Sequence, residues 1–347
     1  MTLLKPRALA AGDRIAVVSP SWGGPGIFPQ RYEAGKRQLE AEFGVTVIDM
    51  AHARADAAWL SANPQARAED LMAAFADESI AGIFSSIGGD DCIRLLPYLD
   101  LEVLRQNPKV FLGFSDTTSL HLACYAAGIT SFYGPSIMAG FAENGGMHRY
   151  TADGVRRVLF SSEPAGPVPL NTEGWTAERL EWGDPALQQQ RRRLQPADAP
   201  LVLQGHGIAE GHLLGGCAEV LEMVKGTAWW PPLEAWRGAI LFIETSEEAP
   251  PVEFLRYWLR NYAAQGILGV LNGIILARPD PKGDAHYRER QEQALLTALG
   301  EAGRADLPVL SGLDFGHTQP MLTLPYGARV RIDCAAGRLT ILEAGVA

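Results

Sequence analysis

Residues 110–127 read VFLGFSDTTSLHLACYAA: an apolar run that passes through Gly113-Phe114-Ser115-Asp116-Thr117 directly into a stretch with helical apolar spacing. A strand that turns this sharply into a helix lifts a serine Oγ above the sheet. The amides at the start of the helix are then placed to stabilise an oxyanion. The second glycine of a G-x-S-x-G elbow is missing, so the same residues also fit a plain helix cap built on Ser115 or Asp116.

Moving outward from the elbow, strand and helix patterns alternate through the first half. RIAVVS (14–19) is closed by Pro20 and the loop SWGGPG, and a helix is predicted over 29–43. VTVIDM precedes a helix over 63–77, AGIFSSIGG a further helix, and the elbow helix over 117–127 leads to ITSFYG. Short apolar strands separated by helices predict a parallel sheet covered on both faces. Between 162 and 206 the texture changes to SEPAGPVPL, EGWTAERLEWGDP and QQQRRRLQPADAP, which reads as a lid or as a solvated connector. In the second half, GIAEGHLLGGCAEVLEMVKG suggests strand, tight turn and helix. The strand AILFIE, a helix over 252–265, the strand GIILARP, a helix over 287–302 and a β-rich end follow. The chain therefore divides into an N-terminal α/β domain over 1–165, a linker or lid over 166–206 and a C-terminal α/β domain over 207–347.

Bulk properties agree with two ordinary globular domains. At 347 residues the chain exceeds the usual growth of a single core, and 47% hydrophobic with 20% charged residues excludes a disordered chain. A formal net charge of -10 argues against a nucleic-acid partner, which requires a basic footprint. The four cysteines, Cys92, Cys124, Cys217 and Cys334, are widely spaced, so neither a disulfide framework nor a zinc ribbon is indicated. The first twenty residues resemble no signal peptide, and no apolar stretch is long enough to span a bilayer. The expectation is a cytoplasmic protein without a membrane or nucleic-acid partner, a metal or a cofactor.

A nucleophilic serine needs a base and an orienting acid. His121 and His148 fall on helical stretches, and His52 and His286 in polar ones. His206 and His212 flank the glycine-rich segment without a third ligand to complete a metal site. His317, in the loop GHTQP after an apolar strand, is the candidate base. Glu244 ends the strand 239–244, where a carboxylate faces the usual ligand crevice of an α/β sheet. Glu247 and Glu248 read as solvated or as helix-start residues. The turn Gly88-Gly89-Asp90-Asp91 is either an ordinary β-to-α turn or a substrate-facing loop. In the second case the Gly89 amide joins that of Asp116 in an oxyanion hole, each donor contributing about 3 kcal/mol to the transition state. Trp175 and Trp182 are seven residues apart, so they either staple the lid on one helical face or supply a plane for a nucleobase. Arg94, Arg278 or a lid arginine is available to bind a substrate carboxylate.

The motifs GGDDCIRLLPYLD, GFSDTTSLHL, YGPSIMAGFAENGG, GHLLGGCAEVLEMVKGT, LFIETSEE and DFGHTQPMLTLPYG resemble the LD-carboxypeptidase family of serine peptidases over nearly the whole chain. The resemblance implies Ser115 as nucleophile, Glu244 as acid, His317 as base and the Gly89 and Asp116 amides as oxyanion donors. It also implies an N-terminal domain similar to class I amidotransferases and flavodoxins, a C-terminal swivelling α/β domain, and a homodimer. An amidotransferase activity is disfavoured, because Cys92 and Cys124 lie away from the elbow. Two branches compete within the family. One trims terminal D-alanine from muropeptide tetrapeptides; the other, resembling microcin C immunity proteins, cleaves aminoacyl-nucleotide conjugates. The AENGG segment and the tryptophan-bearing linker resemble the second. A binding module without catalysis is the alternative from a different functional class.

Overall fold

The computed structural model describes residues 3–347. Short runs of β-branched and aromatic residues form the first sheet: β1 (Arg14–Val18), β2 (Thr46–Asp49), β3 (Gly82–Ser85), β4 (Val110–Gly113) and β5 (Phe132–Tyr133). β3 and β4 are buried at every position, as central strands covered on both faces must be. All five run parallel in the order β2-β1-β3-β4-β5. This is the doubly wound, flavodoxin-like order, whose crevice opens at the carboxyl ends of β1 and β3, where the strand order reverses. Helices α1 (Pro29–Phe43) and α2 (Pro64–Ala76) each carry proline in the first turn, where its missing N–H costs no hydrogen bond. Helix α3 (Thr118–Ala126) leaves β4 through a single tight turn at Ser115–Thr117.

The second sheet has eight strands. β6 (Gly166–Pro167) and β7 (Leu201–Gln204) lie at its two edges, so the residues between them leave one edge and return to the other. β8 (Ile208–Cys217), β9 (Ile240–Glu244), β10 (Gly273–Ala277) and β11 (Val309–Leu313) form its parallel centre. After β11 the chain crosses back: β12 (Leu324–Pro325) pairs antiparallel with β5 of the first sheet, before β13 (Arg329–Asp333) and β14 (Arg338–Ile341) rejoin the second. Helices α4 (Ala218–Val224), α5 (Val252–Ala264) and α6 (Tyr287–Glu301) follow β8, β9 and β10.

One expected turn is absent. Residues 208–217 form a continuous ten-residue strand that runs straight into α4, with His212 inside it. Gly215 and Gly216 serve close approach instead of chain reversal. A Cβ on Gly215 would stand 1.8 Å from the Phe242 carbonyl oxygen, and one on Gly216 2.5 Å from Thr118 of the elbow helix.

The two sheets meet through buried aromatic rings. Tyr133 of β5 packs edge-on against Phe242 of β9 at 5.2 Å, and Phe242 against Tyr326 at 5.4 Å. Such pairs add about 0.5–1.5 kcal/mol each beyond their area. They hold β5 and β9 against each other.

Candidate active site

Ser115 has φ +62, in the left-handed region that a residue with a Cβ enters only under constraint. Two contacts brace it. Its N–H donates to Tyr133 Oη at 3.0 Å, and His121 of α3 holds the preceding strand end through Nε2 to the Gly113 carbonyl at 3.0 Å. Complete burial pushes His121 down to about 4, so the ring is neutral; Nε2–H donates to Gly113 and Nδ1 accepts from Ser131 Oγ at 2.8 Å. His121 is thus a prop for the elbow.

Across the cleft, His317 Nε2 is 3.0 Å from Ser115 Oγ and Nδ1 is 2.6 Å from Glu244 Oε2. The second oxygen of Glu244 accepts from Tyr133 Oη at 2.5 Å. Tyr133 therefore ties the elbow's backbone to the carboxylate that orients the imidazole. Glu244 is buried at the end of β9, and Phe114 packs edge-on against His317 at 5.1 Å. Serine hydroxyl, imidazole and carboxylate are thus linked in a single hydrogen-bonded row.

Glu247 departs from its solvated reading. Its Oε2 lies 3.0 Å from His317 Nε2, the same nitrogen that faces Ser115. The short link Thr245-Ser246 after β9 turns the chain back over the imidazole, where sequence proximity to a polar run suggested open solvent.

Gly89 and Asp116 flank the serine. At φ +148 a side chain on residue 89 would be strained, and its Cβ would stand 2.4 Å from Ser21 Oγ. The Asp116 carboxylate is fully buried and accepts from Ser21 Oγ at 2.5 Å and from the Asp91 and Cys92 amides at 2.7 Å each. It clamps the loop bearing Gly89 to the elbow bearing Ser115. Burial pushes this carboxyl above the usual range, partly offset by those donors.

Above these residues lies a cleft of about 530 Å³, walled by Trp22, Gly88 and Gly89 on one side, Glu247 and His317 on the other, and Trp182 of the lid. The Arg31 guanidinium sits 4.2 Å over the Trp182 ring, and Phe28 packs edge-on against it at 5.8 Å. The segment over 166–206 is bonded to both sheets' surroundings: Arg192 pairs with buried Glu143, Thr176 and Gln319 exchange backbone hydrogen bonds at 2.7 and 3.0 Å, and Arg179 pairs with Asp280 at 2.9 Å.

The two lid tryptophans do not share a face. Trp175 bridges to Gln195 and lies under Arg278, 5.0 Å from the ring centroid, in a separate depression. No helix spans the pair, and Pro185 begins only a short turn. Asp90 is exposed and outside the cleft wall. Arg94 pairs with Asp91 on the surface, and Arg278 is buried against Asp314 at 3.1 Å, so of the arginines named from sequence only the lid's Arg179 and Arg192 reach the cleft. Arg31, Tyr133 and Glu247 were not foreseen. Tyr133 carried a readable signal, since it ends a buried strand as Glu244 does; Arg31 lies in a polar helical stretch with nothing to mark it. Among the described residues no group of three His, Cys, Asp or Glu side chains could hold a metal, and His212 is bonded to the Ala235 carbonyl at 2.8 Å.

Residues 15–134 match the LD-carboxypeptidase N-terminal domain and residues 210–332 the LD-carboxypeptidase C-terminal domain. The microcin C7 self-immunity protein of Escherichia coli is 29% identical over 96% of this chain and 94% of its own. Its solved complex with aspartyl sulfamoyl adenosine aligns with a TM-score of 0.84, at 26% identity over 99% of this chain and 100% of that one. The murein tetrapeptide carboxypeptidase of Pseudomonas aeruginosa is also 29% identical, over 90% of this chain and 91% of that protein. A microcin-immunity-like protein from Streptococcus pneumoniae, solved with AMP, aligns with a TM-score of 0.86 at 30% identity, covering 95% of this chain and 98% of that one. With both domains matched in order and the neighbours aligned end to end, the chain belongs to the LD-carboxypeptidase family and is a serine-type carboxypeptidase.

Proposed function

We propose that this enzyme hydrolyses aminoacyl- or peptidyl-nucleotide conjugates, with Ser115 as nucleophile, His317 as base and Glu244 as orienting acid. Ser115 Oγ attacks the scissile carbonyl carbon while its proton passes to His317. The amides of Gly89 and Asp116 receive the oxyanion. The C–N bond then breaks, His317 returns the proton to the leaving nitrogen, and water hydrolyses the acyl ester by the same route.

The observation that carries the nucleotide reading is the Trp182 plane lining the cleft, covered on one side by Arg31. Among the described residues the Arg31 side chain bonds to neutral groups: the Met138 carbonyl at 2.9 Å, Asn144 at 2.9 Å and Gln188 at 3.4 Å. Burial lowers it to about 10, which leaves it charged at neutral pH. An aromatic plane backed by a cation suits a nucleobase joined to an anion, with stacking contributing about 1–3 kcal/mol. The relatives solved with AMP and with aspartyl sulfamoyl adenosine support the same ligand class.

Sequence identity does not separate this reading from muropeptide trimming, since both named relatives are 29% identical. A competition assay between aspartyl sulfamoyl adenosine and an L,D-tetrapeptide muropeptide does. Preferential consumption of the nucleotide is expected; preference for the muropeptide would move the enzyme to the other branch, and return of both unchanged would make it a binding module. A cytoplasmic homodimer belongs to the same proposal, and sedimentation velocity tests the dimer.

A further inference from the structure

His317 Nε2 has two neighbours at equal distance, Ser115 Oγ and Glu247 Oε2, both at 3.0 Å, while Nδ1 is committed to Glu244. An imidazole with a carboxylate at each nitrogen holds both protons, and an imidazolium has no lone pair to take the serine proton. Burial alone would depress this imidazole, but the carboxylates of Glu244 and Glu247 outweigh it and hold His317 up at about 10. The pairing with His317 holds Glu247 at about 2. At neutral pH the unliganded pair is an ion pair and the base is off.

Glu247 is reachable. Its side chain is 36% exposed and lines the cleft. The other charged groups facing the pair are Glu244 from β9 and Arg179 from the lid. Arg179 lies 3.7 Å from Glu247 but is bonded to Asp280 at 2.9 Å.

We infer that Glu247 recognises a free α-ammonium group on the acyl half of the substrate, and that this pairing frees His317 to act as base. The inference rests on the aminoacyl-nucleotide reading and narrows it to conjugates whose acyl group is a single amino acid with its amine free. Glu247 Oε2 is no further from Ser115 Oγ than two 3.0 Å steps. A carbonyl carbon poised for attack lies about 3 Å from Oγ, and an α-nitrogen is two bonds from that carbon. With the carbonyl on Ser115, the ammonium is within reach of the Glu247 carboxylate. It replaces the imidazolium as the counter-ion of Glu247, and the Nε2 proton leaves to solvent through the open cleft. An α-nitrogen already acylated, as within a muropeptide chain, carries no charge and leaves His317 locked.

Labelling of Ser115 by diisopropyl fluorophosphate reads the base without any nucleotide: the Oγ–P bond forms, fluoride leaves and the Oγ proton goes to His317. At pH 7, saturating L-alaninamide is expected to accelerate wild-type labelling by about tenfold for each unit by which His317 falls. N-acetyl-L-alaninamide should have no effect. In Glu247→Gln, labelling should be fast without either amide, with its pH midpoint moved down. No response of the wild type to L-alaninamide, or an unchanged pH profile in Glu247→Gln, would overturn the inference. In parallel, wild type should cleave aspartyl sulfamoyl adenosine at least about tenfold faster than its N-acetyl form, and Glu247→Gln should remove that preference. Equal cleavage of the two forms by wild type overturns the role of Glu247 while leaving the nucleotide reading intact. Cleavage of neither, with the L-alaninamide response present, removes the nucleotide reading and supports Glu247 as the ammonium receptor.

Discussion

The two edges of the cleft are built by opposite means. On the first sheet, the elbow and its helix are one contiguous piece of chain, and backbone conformation sets the serine: Ser115 is fixed at φ +62 between a strand end and a helix start. On the second sheet, Glu244 and His317 lie 73 residues apart and are aligned by a side-chain hydrogen bond at 2.6 Å. Tyr133 is the joint between them, bonded to the serine's amide and to the acid. Damage to the first edge should therefore disturb stability as well as chemistry wherever the backbone clamp is involved, whereas damage to the second should fall on chemistry.

The largest expected effect is that of Ser115→Ala, a loss of about 10^4-fold or more in kcat with stability changed by about 0.5 kcal/mol or less. Hydrolysis assays and urea unfolding measure the two. A large stability loss would mean that the hydroxyl itself holds the elbow. Next is Glu244→Gln, expected to cost about 10^3–10^4 in kcat. Its amide still accepts from Tyr133 but presents N–H to the Nδ1 proton of His317, so the fold should persist with the wrong tautomer favoured; an active variant would show the second edge to be dispensable. Asp116→Ala removes the acceptor for Ser21 and two buried amides and should cost about 2–4 kcal/mol of stability, together with activity. Loss of activity alone would contradict its role as a clamp between Gly89 and the elbow.

The smallest effect is a dependence of unliganded stability on pH. The folded-state value for His317 is raised from 6.5 to about 10. The ion pairs with Glu244 and Glu247 therefore contribute in full between pH 4.5 and 6.5; the contribution is lost as pH rises through about 10, and the Glu247 share is lost as pH falls through about 2. Urea unfolding across this window should show the decline, and a flatter profile in Glu247→Gln.

What the sequence made legible follows the same division. The alternation of apolar runs and helices marked the parallel sheet, and GFSDT marked the elbow, because both are local patterns of the backbone. Glu244 was readable because a charge at the end of five apolar residues is costly to bury without purpose. Glu247 was not, since its partner arrives from a loop seventy residues on and its immediate neighbours are polar. Gly215-Gly216 misled because glycine serves both tight turns and close approach, and only the position of Phe242 and Thr118 tells which. The Trp175 and Trp182 spacing suggested a helical face, yet the segment takes its shape from hydrogen bonds to Gln195 and Gln319, which lie outside any local pattern.

The most direct test is to trap the acyl-enzyme. Brief incubation with aspartyl sulfamoyl adenosine, acid quenching and peptide mass spectrometry should find an aspartyl ester on Ser115, absent in Ser115→Ala. Turnover of that conjugate by Ser115→Ala at the wild-type rate, with no adduct on Ser115 in the wild type, would contradict the proposed role of Ser115 as nucleophile.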